Sequence, residues 1–160
     1  MRLVKFMFAA VLCAAPFVAG GVEARADHYG SRQYYGGWHR YSNYYYRSYY
    51  YKPYSDYYGY KHHYVIYYPT RPQYYYYYNP YKHYYWGRCP TYTDGTQAYS
   101  LLPEEHRKGD IDEIQETAFP QPGNMPKIPD AKDNAQVDLP PDDLPPEATK
   151  GAVALPGAKK

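Results

Sequence analysis

The chain has 160 residues, 27 of them tyrosine, and a formal net charge of only +2 at pH 7. From Asp27 to the C-terminus, leucine, isoleucine, valine and phenylalanine number thirteen, about a tenth of those residues, well below the level expected of a folding chain. Tyrosine carries a hydroxyl that needs a partner, so it suits interfaces better than deep cores. This composition predicts a mostly disordered, low-complexity protein and excludes a sizeable globular core.

The N-terminus has the layout of a secretory signal peptide. Arg2 and Lys5 supply positive charge, an apolar run covers residues 6–18, and Ala24-Arg-Ala26 is a small-x-small cleavage motif. The apolar run is short for a bilayer span, and no later stretch is long and apolar enough. We therefore expect cleavage before Asp27 and export to the periplasm, cell surface or medium, and no integral membrane protein.

Residues 27–73 form a tyrosine-rich arm. Tyrosine doublets and triplets are interrupted irregularly, and no period of about 20–50 residues appears, which excludes a solenoid or propeller. Successive tyrosines point to opposite faces of an extended chain, so the pattern specifies no single buried face. We expect heterogeneous, low-complexity structure with turns at Pro53, Pro69 and Pro72.

The two halves of the exported chain carry opposite charge. Residues 27–100 contain eight Lys and Arg against three Asp and Glu, whereas residues 101–160 contain seven against twelve. Opposite charges of this kind permit self-association between chains or a loose internal collapse.

Residues 74–116 are the segment in which we expect partial order. Within 74–102, tyrosine-rich runs flank Asn79-Pro80, which favours a turn, and Asp94-Gly95 is a short hairpin signal. These features predict at most a small β-hairpin or meander with Trp86 at its centre. Such a sheet is marginally stable unless another segment covers it.

A short helix over about 103–108 would supply part of that cover. Pro103 suits a first helical turn, Glu104 favours the positive helix end, Lys108 favours the negative end, and Gly109 can terminate the helix. From residue 117 to 160, prolines recur too often for a helix or a central strand. We therefore predict an acidic, proline-rich, disordered tail.

Five residues of the central segment form the candidate binding site. Tyrosine and tryptophan rings stack on sugar faces and arginine contacts acidic groups, which suits an envelope polysaccharide. Basic and aromatic residues together also suit single-stranded nucleic acid, but export argues against that partner. The candidate stacking platform consists of Tyr81, Tyr84, Tyr85, Trp86 and Arg88.

The two cysteines have different expected roles. Cys13 follows the large Leu12, whereas a lipoprotein signal needs a small residue there, so Cys13 fills the apolar run of the signal peptide. Cys89 is the one cysteine of the exported chain, which indicates either an intermolecular disulfide or an inert thiol. No neighbouring histidine completes a nucleophilic pair, so Cys89 is a candidate for cross-linking and not for catalysis.

The sequence offers no catalytic, metal or cofactor motif. Adjacent His62 and His63 would not share one face of a strand, and none of the six histidines has a zinc-site spacing. The acidic pairs Glu104-Glu105 and Asp142-Asp143 are chain neighbours, not carboxylates facing each other across a cleft, which excludes a glycosidase. We predict no catalytic residue, no metal site and no cofactor, and a protein that is not an enzyme.

Three stretches of the second half are distinctive: YYNPYKHYYWGRCP, YSLLPEEHRKGDIDEIQETAFPQPGNMPKIPDAKD and LPPDDLPP. They resemble the C-terminal half of a group of uncharacterised secreted Tyr/Pro-rich proteins of planctomycete bacteria. The resemblance covers about half of the chain. It implies localisation and lineage and no particular activity, and it implies that the acidic tail is a specified element.

These observations favour an exported, non-enzymatic structural or envelope-associated protein, in which the tyrosine-rich arm provides cohesion by stacking and oxidative cross-linking. The alternative is a module that binds envelope polysaccharide or protein through the platform around Trp86.

Overall fold

The structure is a computed structural model that describes residues 30–92 and 98–146. The predicted signal peptide and its cleavage site lie outside these residues. The strands are β1 (Gln33–Tyr35), β2 (His39–Tyr41), β3 (Tyr44–Tyr51), β4 (Lys61–Tyr67), β5 (Tyr74–Asn79), β6 (Tyr84–Pro90) and β7 (Ser100–Leu101). Three 3-10 helices follow them: Glu104–His106, Ile111–Glu113 and Glu116–Ala118.

The seven strands form one antiparallel sheet in which β3 to β7 lie in chain order. Strands β1 and β2 share the outer edge of β3, where Tyr34 pairs with Tyr50 and Arg40 with Tyr45. Each strand from β3 onward pairs with the next along the chain. Antiparallel neighbours need only short connections, so a chain with frequent turn residues can form this sheet.

The prediction of a mostly disordered chain without a sizeable core is wrong, because tyrosine rings fill the core. Tyr77 makes edge-to-face contacts with Trp86 and Tyr99, at ring-centroid distances of 5.0 and 5.2 Å. Aromatic pairs of this kind contribute about 0.5–1.5 kcal/mol beyond the burial of their surface. The low content of aliphatic residues does not prevent a core here, because tyrosine rings replace aliphatic side chains as core material. The fully buried tyrosines are Tyr49, Tyr51, Tyr75, Tyr76, Tyr77 and Tyr99.

Hydrogen bonds between tyrosine hydroxyls and other core groups make this burial possible. The hydroxyl of Tyr35 lies 3.0 Å from that of Tyr77 and donates to the backbone carbonyl of Asp138 at 2.7 Å. The Tyr49 hydroxyl donates to the side-chain carbonyl of Gln33 at 2.5 Å. A buried hydroxyl that is bonded in this way avoids most of the penalty for leaving water.

The second half of the chain covers both faces of the sheet. On one side, the front face, Met125, Ile128 and Val137 pack on buried rings of β3 to β6. On the other side, the back face, the segment 102–119 packs on residues such as Ile66 and Tyr76. Because both faces are covered, the strands need no alternation of apolar and polar residues.

This arrangement corrects the expected disorder of the arm and the tail. Residues 30–73 contain β1 to β4, and residues 117–146 lie against the sheet. Ion pairs join the basic and acidic halves: Arg32 with Asp133, Arg47 with Asp143, Lys61 with Asp130, Arg71 with Asp112 and Arg88 with Glu116. The opposite charges therefore hold the two halves of one chain together.

The turn at Asn79-Pro80 joins β5 to β6. The side-chain carbonyl of Asn79 accepts hydrogen bonds from the backbone N–H groups of Tyr81 and Lys82, at 2.9 and 3.1 Å. The hairpin signal Asp94-Gly95 lies outside the described residues. In place of a helix over 103–108 there is a single 3-10 turn, Glu104–His106.

Candidate functional site

A cleft of about 900 Å³ opens on the front face, between the β5–β6 turn and the covering segment 126–131. Its volume falls within the range of small-ligand sites. Trp86 and His63 line it from the sheet, and Tyr81 and Tyr84 line it from the turn and the start of β6. We call it the Trp86 cleft.

A β-bulge places Trp86 on the front face. The register between β5 and β6 shifts between Tyr77 and Tyr78, so Tyr77 pairs with Gly87 and Tyr78 pairs with Tyr85. Trp86 is the extra residue between these pairs, and a bulge re-aims a side chain in this way. Its indole packs against the Tyr77, Tyr99 and His63 rings and is 6% exposed.

His63 is a neutral histidine at the cleft. It is 3% exposed, and burial lowers its pKa to about 3. Its Nε2 lies 3.3 Å from the Tyr51 hydroxyl. When Nε2 accepts a hydrogen bond from that hydroxyl, the ring proton resides on Nδ1, and the ring presents a donor.

Two nitrogen atoms at the cleft have no hydrogen-bond partner among the described residues: Nδ1 of His63 and Nε1 of Trp86. An unpaired buried polar atom costs roughly 1–3 kcal/mol, so native proteins contain few of them. Both atoms belong to residues that line the same cleft. Both nitrogens are shielded from solvent, so they lie within the wall of the cleft and not on its surface.

The charged groups of the cleft are mostly cationic. Lys61, Lys82, Arg107 and Lys127 line it together with one carboxylate, Asp130. The ammonium of Lys61 lies 2.8 Å from Asp130 Oδ2, and this hydrogen bond lowers the pKa of the Asp130 carboxyl. The ammonium groups of Lys82 and Lys127 form no ion pair within the part of the chain that the structure describes.

Arg107 connects the cationic rim to the aromatic wall. Its Nε donates to the backbone carbonyl of Leu102 at 3.0 Å, and its guanidinium lies 5.5 Å from the ring centroid of Tyr84. Glu104 lies 3.7 Å away and is largely exposed, so it screens this charge only weakly. The cleft therefore combines aromatic rings with excess positive charge.

The structure separates the five predicted platform residues. Tyr81, Tyr84 and Trp86 line the Trp86 cleft. Tyr85 lies on the back face, where its hydroxyl is 2.6 Å from that of Tyr68. Successive residues of a strand point to opposite faces, and only the bulge interrupts this rule.

Arg88 also lies on the back face and is 7% exposed. Its guanidinium is 3.9 Å from the Tyr74 ring centroid and 4.0 Å from that of Phe119, and its Nη1 lies 2.5 Å from Glu116 Oε1. These contacts join β6 to the segment that covers the back face. Arg88 thus has a structural position, away from the cleft.

Cys89 lies inside the core of the front face. Its side chain is fully buried, and burial raises the pKa of its thiol to about 12. The thiol is therefore protonated at neutral pH and shielded from another chain. The cross-link candidate is not presented on the surface of the folded protein.

The residues that complete the cleft do not stand out in the sequence as site residues, chiefly His63, Lys82, Lys127 and Asp130. Pro126-Lys-Ile-Pro129 stands out in the sequence as a proline motif, but a tail interpreted as disordered supplies no wall to a cleft. His63 on β4 comes close to Trp86 on β6 because both strands pair with β5, which local sequence does not reveal.

A smaller groove of about 340 Å³ lies on the back face, and tyrosines such as Tyr44, Tyr46, Tyr64 and Tyr78 line it. No charged residue lines this groove. Among the described residues, no group of three His, Cys, Asp or Glu side chains could hold a metal ion. Nor does any helix in the described ranges have the length and apolar character needed to cross a bilayer.

No family model, no curated protein and no solved structure matches this chain. The resemblance to planctomycete secreted proteins accordingly stays a prediction.

Proposed function

We propose that this protein is an exported, non-enzymatic binding module whose Trp86 cleft holds an acidic polysaccharide of the cell envelope. The observation that carries this proposal is the composition of the cleft: aromatic rings beside four cationic side chains and a single carboxylate. Rings contact the apolar faces of sugars, and ammonium and guanidinium groups contact uronic-acid carboxylates or sulfate esters.

The arrangement supports an acidic ligand more strongly than a neutral one. Lys82 and Lys127 stand at opposite walls, one on the β5–β6 turn and one on the covering segment, and neither ion pairs with a described carboxylate. An anionic chain between these walls would contact both ammonium groups.

The test is calorimetric titration with an oligouronate, and with a neutral oligosaccharide of the same length. We expect binding of the oligouronate that weakens at high salt, since exposed charge pairs are screened. Lys82→Gln and Lys127→Gln should each weaken binding about three- to tenfold, the effect of removing one ligand-contacting charge. Lys132→Gln is the matched control, because Lys132 is exposed and lies outside the cleft.

Trp86→Phe tests the indole separately, since it keeps an aromatic ring and removes the N–H group. We expect weaker binding together with some loss of stability, because the smaller ring leaves a cavity among the Tyr77, Tyr99 and His63 rings, so affinities are compared where both proteins are folded. Equal affinity for the acidic and the neutral oligosaccharide would contradict the proposal. So would unchanged affinity in the Lys82, Lys127 and Trp86 variants.

Oxidative cross-linking is a second candidate function, favoured by two tyrosines that are almost completely exposed. Tyr58 is 99% exposed and Tyr92 is 84% exposed. Two such phenols on different chains can each lose one electron and one proton to a peroxide-dependent oxidase, and the two radicals then join through a carbon–carbon bond. Tyr58→Phe/Tyr92→Phe should reduce dityrosine fluorescence after peroxidase treatment several-fold, with the residual signal coming from partly exposed tyrosines such as Tyr41 and Tyr81. An unchanged signal would remove this candidate.

A further inference from the structure

The acidic proline-rich segment 139–146 (LPPDDLPP) lies in an aromatic groove on the front face. We define the Trp38 groove by Tyr35, Trp38, Arg47 and Tyr75. Trp38 Nε1 donates to the backbone carbonyl of Asp143 at 2.9 Å, and the Tyr75 hydroxyl donates to the same carbonyl at 3.3 Å. The side chain of Pro145 is fully buried.

These contacts have the chemistry of peptide recognition. Proline has no N–H group, so the carbonyls of a proline-rich segment are its main hydrogen-bonding groups. The groove provides an indole N–H and a phenol O–H donor to one of these carbonyls, that of Asp143, and it lies beside the buried Pro145. Aromatic grooves bind proline-rich peptides in this manner, because such peptides lose little conformational entropy on binding.

Arg47 adds a requirement for negative charge. It is 5% exposed, its guanidinium lies 4.7 Å from the Trp38 ring centroid, and its Nε donates to the Gly36 carbonyl at 2.8 Å. Its two Nη atoms contact the two carboxylate oxygens of Asp143, at 2.5 and 3.3 Å. A buried cation without its partner is strongly destabilising, so the groove requires an acidic occupant.

The segment is separable from the sheet. Residues 139–146 belong to none of the seven strands and to neither isolated bridge. Their release leaves every strand pairing of the described sheet intact. The groove requires an acidic proline-rich occupant, and every copy of the chain carries an identical 139–146 segment.

We propose that the Trp38 groove is an interface between copies of this chain, in which the 139–146 segment of one copy docks in the groove of a second copy and the exchange is reciprocal. Every contact of the closed monomer is re-formed in the exchanged dimer. The balance between the two forms is therefore set by protein concentration and by the reach of the connecting chain.

The test mixes two full-length variants, Arg47→Glu and Asp143→Arg. Each variant alone places like charges across its own groove. In the mixture, reciprocal exchange places the introduced glutamate of the first chain against the introduced arginine of the second, and native Arg47 against native Asp143. We expect size-exclusion chromatography with light scattering to show a heterodimer in the equimolar mixture and at least tenfold less dimer in either variant alone.

The chain that carries both changes is the control. Its opposite charges face each other within one molecule, so we expect a folded, mostly monomeric protein whose thermal unfolding shows that the groove accepts the reversed pair. A mixture that stays monomeric would overturn the proposal. A mixture that stays unfolded while the control chain folds would overturn it as well, whereas recovery of folded dimer from two unfolded variants would support it.

A measurement on the unaltered chain is independent of folding in the variants. Wild-type protein with two different affinity tags is mixed at millimolar concentration, incubated, diluted and captured through one tag. We expect the second tag to be captured as well, and an excess of free LPPDDLPP peptide during incubation to reduce that signal several-fold. Absence of co-capture, or co-capture that the peptide leaves unchanged, would overturn the proposal.

Discussion

The ring of Tyr99 lies directly against the Cα atom of Gly87, so that a Cβ atom at position 87 would overlap the ring. Gly87→Ala should therefore lower the free energy of unfolding by about 1–3 kcal/mol, the usual cost of an added methyl group in a packed core. Gly37→Ala is the matched control, because a Cβ atom there would meet nothing within 4 Å. Urea unfolding of both variants measures the difference, and equal stabilities would show that the sheet relaxes around Tyr99.

Removal of the hydroxyl group should change the free energy of unfolding differently at two fully buried tyrosines. The Tyr77 hydroxyl lies 3.0 Å from that of Tyr35, whereas the Tyr99 hydroxyl has no partner among the described residues. Tyr77→Phe should cost about 0.5–1.5 kcal/mol, and Tyr99→Phe should be neutral or stabilising. Thermal unfolding of the two variants makes the comparison, and a larger loss for Tyr99→Phe would contradict it.

The sequence predicted the positions of some turns better than it predicted the sheet. Asn79-Pro80 joins two strands, as turn chemistry suggests. The alternation rule gave no signal for β5, because tyrosines such as Tyr76 and Tyr77 point to opposite faces and both faces are covered. When tyrosine is assumed to be unsuited to cores, a strand that is buried on both faces looks like a low-complexity segment.

The sequence predicted only part of the candidate site, because the rest depends on contacts between distant segments. Trp86 stood out in the sequence as an aromatic residue among strand-like neighbours, and it does line the Trp86 cleft described above. In a regular strand Arg88, two residues further on, would share the face of Trp86, but the extra residue of the bulge reverses the alternation and places Arg88 on the back face. The opposite wall, with Lys127 and Asp130, depends on a tail whose order comes from long-range ion pairs and ring contacts. No local pattern encodes such contacts.

Cys89 should be unreactive while the protein is folded. Its thiol is fully buried, and burial raises its pKa to about 12. In a Cys13→Ser background, labelling by an aromatic disulfide reagent at pH 8 should be at least about 100-fold slower in the folded than in the urea-unfolded protein, because it requires opening of the core. Comparable rates would contradict the placement of Cys89, and would make a disulfide between chains accessible.

The low pKa of His63 should make stability depend on pH. Burial lowers the pKa of His63 from 6.5 to about 3, so between these values the unfolded chain binds a proton that the folded chain does not. The free energy of unfolding should therefore fall as the pH falls from about 6.5 towards 3, by at most ~1.4 kcal/mol per pH unit. The full contribution of the buried neutral ring is present above pH 6.5.

The contribution of His63 can be separated from that of other titrating groups by comparing how steeply the free energy of unfolding changes with pH in two proteins. The pKa values of Asp130 and Asp133 are lowered by Lys61 and Arg32, so the stability that these carboxylates contribute is lost mainly below pH 4. His63→Phe keeps an aromatic ring beside Trp86 and removes the titrating group. We expect urea titrations between pH 4 and 6.5 to give a shallower pH dependence for this variant than for the wild type, whatever its absolute stability. Parallel pH profiles would show that His63 becomes protonated within the folded state.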